Sequence, residues 1–465
     1  MGEAMKIPRS ISIVGLLALL GAGGAAALLL VNRREVTTTS AAAYQAYLRG
    51  YENEQRYYKK EARVDYARAI ELDPEFAEAI LGLARQADRD QAISLVERAW
   101  TLRDRLTERE RMHVDLMRAL FNHQRDESMR LAKALHEKYP GDITAVTVLA
   151  GDDANPGQPD RSVQLWQQLL ATNPNYAAAY NSIGYTYAFR GDYEKAIENF
   201  QKYQFMAPDQ ANPFDSMGEV QAYSGHYDEA IESLQKALAI KSDFYPAFEH
   251  LGVAYQGKGD YPKSIECFEK AADLALTNDM KEVDLFRGVR VARCARDAAV
   301  AERLMQKLEA LPRTENSDLR RLFLPAVRDL FHDRYAEVER RLVELKPKLD
   351  AHIRNLVKDG SYKTYDPGWS LMMVKAKLGE GKDADAMPIL EEMINPPNAW
   401  SDFESRLWVY TARAELASLM AKRGDIDRAE KLLAENHKWN ANWAPTRELE
   451  LAVNQAKEKV QTAAK

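Results

Sequence analysis

Eight histidines and two cysteines are the side chains from which this sequence could build a metal centre or an activated nucleophile, and their spacing builds neither. The histidines are dispersed, with no His-Glu-x-x-His helix and no Cys/His cluster at metal-ligand spacing. His136-Glu137 comes nearest, but Pro140 stands where a second histidine ligand would be needed. Ser182 and Ser216 lack the Gly-x-Ser-x-Gly elbow that exposes a nucleophilic hydroxyl, and no Walker loop or dinucleotide fingerprint occurs. Cys267 and Cys294 sit on apolar helical faces, as small buried hydrophobes or, in an oxidising compartment, as a disulfide between neighbouring helices. A net charge of −6 with 29% charged residues gives no basic surface for nucleic acid. The expectation is therefore a non-enzymatic chain with no metal and no cofactor.

What the sequence does contain is a scaffold. Tyr180-Asn181-Ser182-Ile183-Gly184, Phe214-Asp215-Ser216-Met217-Gly218 and Phe248-Glu249-His250-Leu251-Gly252 place their glycines 34 residues apart. Gly191-Asp192-Tyr193, Gly225-His226-Tyr227 and Gly259-Asp260-Tyr261 recur in step, as do Ala196, Ala230 and Ser264, and Phe200, Leu234 and Phe268. A fixed period of this length is one supersecondary unit copied along the chain, each copy burying its apolar face against the next. Within a copy, Tyr180, Ile183, Gly184 and Tyr187 share one helical face. Gly191 then supplies a left-handed turn, Asp192 caps a second helix, and that helix stops before Pro208. The unit is an antiparallel helix pair. Glycine inside a helix costs roughly 1 kcal/mol relative to alanine, so its recurrence at one phase implies close approach of the partner helix, expected at Ala196, Ala230 and Ser264.

These residues resemble the tetratricopeptide repeat, with departures at Ser264, Tyr203 and Ser242. The resemblance implies an all-α, right-handed α-solenoid of antiparallel helix pairs whose first helices line a concave groove. Carried over by phase, the groove residues are Asn181, Tyr185 and Phe189 in one unit, Asp215, Glu219 and Tyr223 in the next, and Glu249, Val253 and Gln256 in the third. Three acids beside aromatics suit an extended protein or peptide segment bearing Lys or Arg; the competing reading is that these are ordinary solvated helix positions. Chaperone-type members hold a C-terminal carboxylate with Lys, Asn and Arg, a ligand that Asp215, Glu219 and Glu249 would repel.

The rest of the chain organises around this array. Residues 11–31 carry no charge and at 1.5 Å per residue span roughly 30 Å, about one bilayer core. They read as an N-terminal transmembrane helix within a 1–34 anchor, the alternative being a signal peptide cleaved near Ala25-Ala26-Ala27. Lys6 and Arg9 before the segment nearly balance Arg33 and Arg34 after it, and the short cationic tail favours N-terminus inside, hence a single-pass protein of a bacterial inner membrane with its large domain periplasmic, the alternative being the cytoplasmic side. Residues 35–42 form a polar linker. Seven repeat units follow over 43–278, the second of them degenerate; the spacing of Pro140, Pro174 and Pro208 supports the faded ones, and Trp166 reads as a core aromatic. Residues 279–465 read as diverged helix pairs around turns at 333–335, 381–383 and 424–426, closed by a capping helix over 444–460.

The run from Leu106 to Leu274 further resembles the repeat region that follows bacterial serine/threonine kinase and adenylate-cyclase-like or winged-helix regulatory domains, which implies a signalling or scaffolding context; no Gly-rich loop opening a strand, His-Arg-Asp or Asp-Phe-Gly run accompanies it. The expected function is a membrane-anchored scaffold that binds a peptide or protein in the groove; the alternative is an enzyme or transport-envelope component whose active element lies from Met280 onward. If the repeat pairing is right, Ala230→Leu overpacks the helix contact and costs about 1–3 kcal/mol, measurable by denaturant titration; an unchanged midpoint counts against it.

Overall fold

Among the described residues, turns placed by the sequence join most of the helices into successive antiparallel pairs. The structure, a computed structural model, describes residues 36–154, 159–313, 317–356, 366–395 and 403–463. The uncharged stretch 11–31 lies outside these residues, and no helix among the described ones is long and apolar enough to cross a membrane. The described residues form two compact units, one running to Leu149 and the other starting at Ala150, with the division inside helix α7.

In the first unit, α1 (Ala41–Gln55) pairs with α2 (Lys59–Leu72), α3 (Ala77–Arg85) with α4 (Arg89–Thr101), and α5 (Glu108–Phe121) with α6 (Arg125–Lys138); α7 spans Ile143–Ala154. The expected degenerate second unit shows as a 9-residue α3 and a short 3₁₀ turn over Arg103–Arg105. Ser40 caps α1 by accepting from the Ala43 amide, and Thr107 with Glu110 forms a reciprocal capping box on α5. Glu110 is tied twice more, since the Thr37 amide donates to it at 2.8 Å and the Thr37 hydroxyl donates to it as well, while the Thr38 hydroxyl reaches Asp73. Residues read from sequence as linker are thus bonded to the first unit.

The second unit contains α8 (Pro159–Thr172), α9 (Ala178–Phe189), α10 (Tyr193–Met206), α11 (Asn212–Tyr223), α12 (Tyr227–Ile240), α13 (Tyr245–Lys258) and α14 (Tyr261–Leu274), which carry the clear copies. Beyond them α15 (Asn278–Cys294) pairs with α16 (Ala298–Ala310), α17 (Ser317–Phe331) with α18 (Tyr335–Leu356), α19 (Pro367–Gly379) with α20 (Asp383–Ile394), and α21 (Phe403–Lys422) with α22 (Ile426–His437). The terminal helix α23 begins at Arg447, after a 3₁₀ turn over Ala444–Thr446, and buries Val453. One hydrophobic cluster runs from Ala188 to Trp443 and a second joins α19 to α23. Trp166 is buried, stacked on Tyr176 at 6.5 Å, and both cysteines are half-buried free thiols.

The expected turns are present. Gly191, Gly225 and Gly259 have φ of 80°, 87° and 92°, and the same left-handed conformation recurs at Asp333, Gly381 and Gly424. Asp192, Asp260 and Asp425 cap the following helices, each accepting from the amide three residues on.

The repeating glycines are equivalent, but what presses on them differs from the sequence expectation. A Cβ on Gly184 would lie 2.7 Å from Phe200, one on Gly218 would lie 2.6 Å from Leu234, and one on Gly252 would lie 2.7 Å from Phe268. The large side chain one turn beyond the small residue lies over the glycine. The small residues contribute at shorter reach: the Ala230 carbonyl would be 3.1 Å from a Cβ on Gly218, and the Ser264 hydroxyl donates to the Gly252 carbonyl at 2.6 Å. Tyr66 lies against both Gly50 and Gly82, and Leu304 against Gly288. In an exposed helix Gly→Ala stabilises by roughly 1 kcal/mol. Gly252→Ala should instead destabilise by about 1–3 kcal/mol, because the buried Phe268 ring has no room to retreat; a raised melting temperature would refute the close approach.

Candidate protein-interaction groove

The first helices α9, α11, α13 and α15 belong to the second unit, and the groove residues expected from sequence lie on them. Asn181, Asp215, Tyr223, Val253 and Gln256 are buried, and Tyr185, Phe189, Glu219 and Glu249 are half-buried. They are not solvated helix positions. Much of what covers them is the chain's own α21.

Phe403, the first residue of α21, is 3% exposed. Its ring stacks on Phe189 at 4.7 Å and on Tyr223 at 5.0 Å, with Tyr185 tilted against it at 6.3 Å. Glu404 accepts from Arg287 at 2.8 Å and from Arg290 at 2.7 Å. Burial alone would raise the Glu404 carboxyl, but the Arg290 and Arg287 charges outweigh it and bring it down to about 2. Arg406 donates to the carbonyls of Ala188 (3.3 Å) and Phe189 at the C-terminal end of α9. The Ala188 carbonyl also accepts from the Gly191 amide at 3.0 Å; both carbonyls lie at the negative end of the helix dipole, so a guanidinium suits them. The Arg406 guanidinium also lies over the rings of Trp439 (4.5 Å) and Phe403 (5.3 Å).

Past α22 the chain crosses the turns of three successive repeats. Trp439 lies where a Cβ on Gly191 would be, 2.4 Å away. Asn440 accepts from the Tyr227 hydroxyl at 3.0 Å and donates to the Tyr223 carbonyl at 3.2 Å, Asn442 donates to the Gly225 carbonyl at 3.2 Å, and Ala444 reaches Gly259.

The groove acids that suggested a basic ligand are already paired. Asp215 accepts from His250 Nδ1 at 2.9 Å, and the other ring nitrogen lies 3.5 Å from Glu219, which also accepts from the Tyr185 hydroxyl. Glu249 binds Arg287, whose guanidinium also reaches Asp284 at 3.1 Å. Burial opposes a charge on His250, but Asp215 and Glu219 overcome it and lift the imidazole to about 10. Burial raises Asp284 to about 7, with the neighbouring Glu249 adding to it. Beside Phe403 and Glu404 a cavity of about 370 Å³ remains, walled by His250, Glu249 and Val253. The first unit carries an analogous half-buried histidine: His113 bridges Glu78 (2.7 Å) and Asp142 (2.8 Å), and although desolvation opposes its charge, those carboxylates lift it to about 10.

Reasoning from sequence missed His250, Arg287, Arg290, Phe403, Glu404 and Arg406. Arg287 and Arg290, three residues apart on α15, carried a signal, since that spacing puts both on one face. Nothing local marked Phe403.

Both histidines should remain protonated at pH 8 in an NMR titration, when an ordinary imidazole of pKa about 6.5 is neutral. Because the folded chain holds these protons more tightly than the unfolded chain, their contribution to stability is complete below pH about 6.5 and is lost as pH rises towards 10. His250→Gln should flatten that decline, and an unchanged slope would show that the ion pair is not formed.

Comparison with known proteins agrees with this architecture. Repeat-family models match residues 155–211 and 245–278, both described as tetratricopeptide repeat, and 218–259, described as TPR repeat. No curated protein matches the sequence. Solved structures that resemble the chain include MamA (23% identity over 35% of this chain and 89% of that one, TM-score 0.28). Others are a chain of the APC/C hetero-tetramer Cut9-Hcn1 (14%, 95% and 82%, 0.46) and yeast Tom70 (14%, 90% and 96%, 0.39). Tetratricopeptide-repeat models thus match residues 155–211 and 218–278, the stretch that carries the glycine-spaced helix pairs.

Proposed function

We propose that the chain is a membrane-tethered scaffold that binds a protein partner through the concave face of α9, α11, α13 and α15. The observation that carries this reading is that the face already engages a protein segment, with an aromatic cage, a pair of arginines and the carbonyls ending α9 each meeting one side chain of α21. A partner recognised by acids alone is not favoured, because Asp215, Glu219 and Glu249 are neutralised by His250 and Arg287. The uncharged stretch 11–31 supports the tether, the cationic tail before it supports a periplasmic placement of the repeats, and the resemblance of residues 106–274 to repeats of bacterial regulators supports a signalling context.

Two measurements test this. Solubilised native membranes passed over the full-length chain and over a Tyr185→Ala/Tyr223→Ala variant should yield partners retained by the first and lost by the second; identical partner lists would remove the groove from the function. The aromatic pair is the better choice, since replacing Asp215 or Glu249 would leave His250 or Arg287 charged and short of a partner. A chain lacking residues 1–34 should leave the membrane fraction, and continued sedimentation would count against the tether.

A further inference from the structure

We infer that residues 403–406 are an internal copy of the docking segment of the partner: the groove recognises a helical turn bearing an aromatic residue, a carboxylate directly after it, and an arginine three positions after the aromatic. This rests on the scaffold reading above and specifies its ligand.

Three independent subsites are each matched by one side chain of that turn. Phe403 fills a cage of three rings contributed by α9 and α11. Glu404 is the carboxylate shared by Arg287 and Arg290, which lie three residues apart on α15; Arg287 also meets Glu249 and Asp284, and Arg290 lies over the Trp408 ring at 4.5 Å. Arg406 answers the last carbonyls of α9. Rings, guanidiniums and a helix C-terminus thus read an aromatic, an acid and a base in that order, a pattern of chemistry rather than of shape alone.

The internal segment is the first turn of its helix. Phe403 opens α21, so freeing residues 403–406 breaks only the intrahelical bonds that their carbonyls accept from the amides of residues 407–410. The remainder of α21 stays anchored through Leu416, Leu419 and Met420 in the second hydrophobic cluster. The segment also leaves the adjoining cavity of about 370 Å³ unfilled. A partner segment that continues past the carboxylate into this space gains contacts that the tethered copy lacks. The tethered copy competes at the effective concentration of an intramolecular ligand, which lowers the apparent affinity for any segment offered from outside.

The experiment uses the full-length chain and a labelled synthetic peptide with the sequence of residues 401–412, followed by fluorescence anisotropy. Phe403→Ala/Glu404→Ala in the protein removes the internal competitor, and this variant should bind the peptide at least about 10-fold more tightly than the wild type. A peptide with alanine in place of the phenylalanine and the glutamate should bind neither, and Arg287→Gln/Arg290→Gln added to the double variant should abolish binding. A double variant that keeps its helical circular dichroism and binds no better than the wild type overturns the inference. Should the double variant unfold, Glu404→Gln alone, which removes one charge and keeps the ring, replaces it with the same expected direction and the same overturning result. Groove-dependent capture of partners without peptide binding would leave the scaffold reading and remove this one, whereas peptide binding with no groove-dependent partner would do the reverse.

Discussion

The interaction on which the structure depends is a bulky side chain laid over a glycine of the facing helix. Tyr66 on Gly50, Phe200 on Gly184, Leu234 on Gly218, Phe268 on Gly252 and Leu304 on Gly288 are the same contact repeated. It brings the two helices of a pair closer than any side chain at the glycine would allow, and it does so at the same height in each pair. Because the pairs are alike, their first helices come into phase, and residues at equivalent positions line up on one face. A groove is therefore a by-product of a packing rule.

That face is chemically mixed and, in the folded chain, largely neutralised. Carboxylates from one repeat meet cations from the next: Asp215 with His250, Glu249 with Arg287. Charges buried this way are costly to expose one at a time, since removal of a single partner strands the other. The same bonds therefore cross-link successive repeats and set the polarity of the surface. Cationic groups of α15 face Glu404, while the carbonyls ending α9 face Arg406. The segment that satisfies both lies 117 residues beyond Arg287, where Glu404 stands, and 218 beyond Ala188, where Arg406 stands.

The helix pairs were legible in the sequence because their determinants are local and periodic. Gly191, Gly225 and Gly259 mark turns that only a left-handed residue can make, and Pro140, Pro174 and Pro208 mark helix ends. The expectation that Ala196, Ala230 and Ser264 alone would face the glycines fell short, because spacing identifies a face but not which of its side chains reaches furthest. The groove residues were found by phase, yet their occupancy was not, since no pattern around Phe403 or Arg406 indicates what they meet across the fold. Contacts between distant segments leave no period to read.

A row of repeats in which each touches only its neighbours behaves like a spring, compliant because every joint can flex a little. The stretch from Trp439 to Ala444 changes that for part of this protein. Lying across Gly191, Gly225 and Gly259, it bridges three successive joints with one short length of backbone, bonded at Tyr223, Gly225 and Tyr227. Tension applied along the array would meet this brace before it could open the joints beneath, so these repeats yield together or not at all, and stiffness is concentrated where the groove lies.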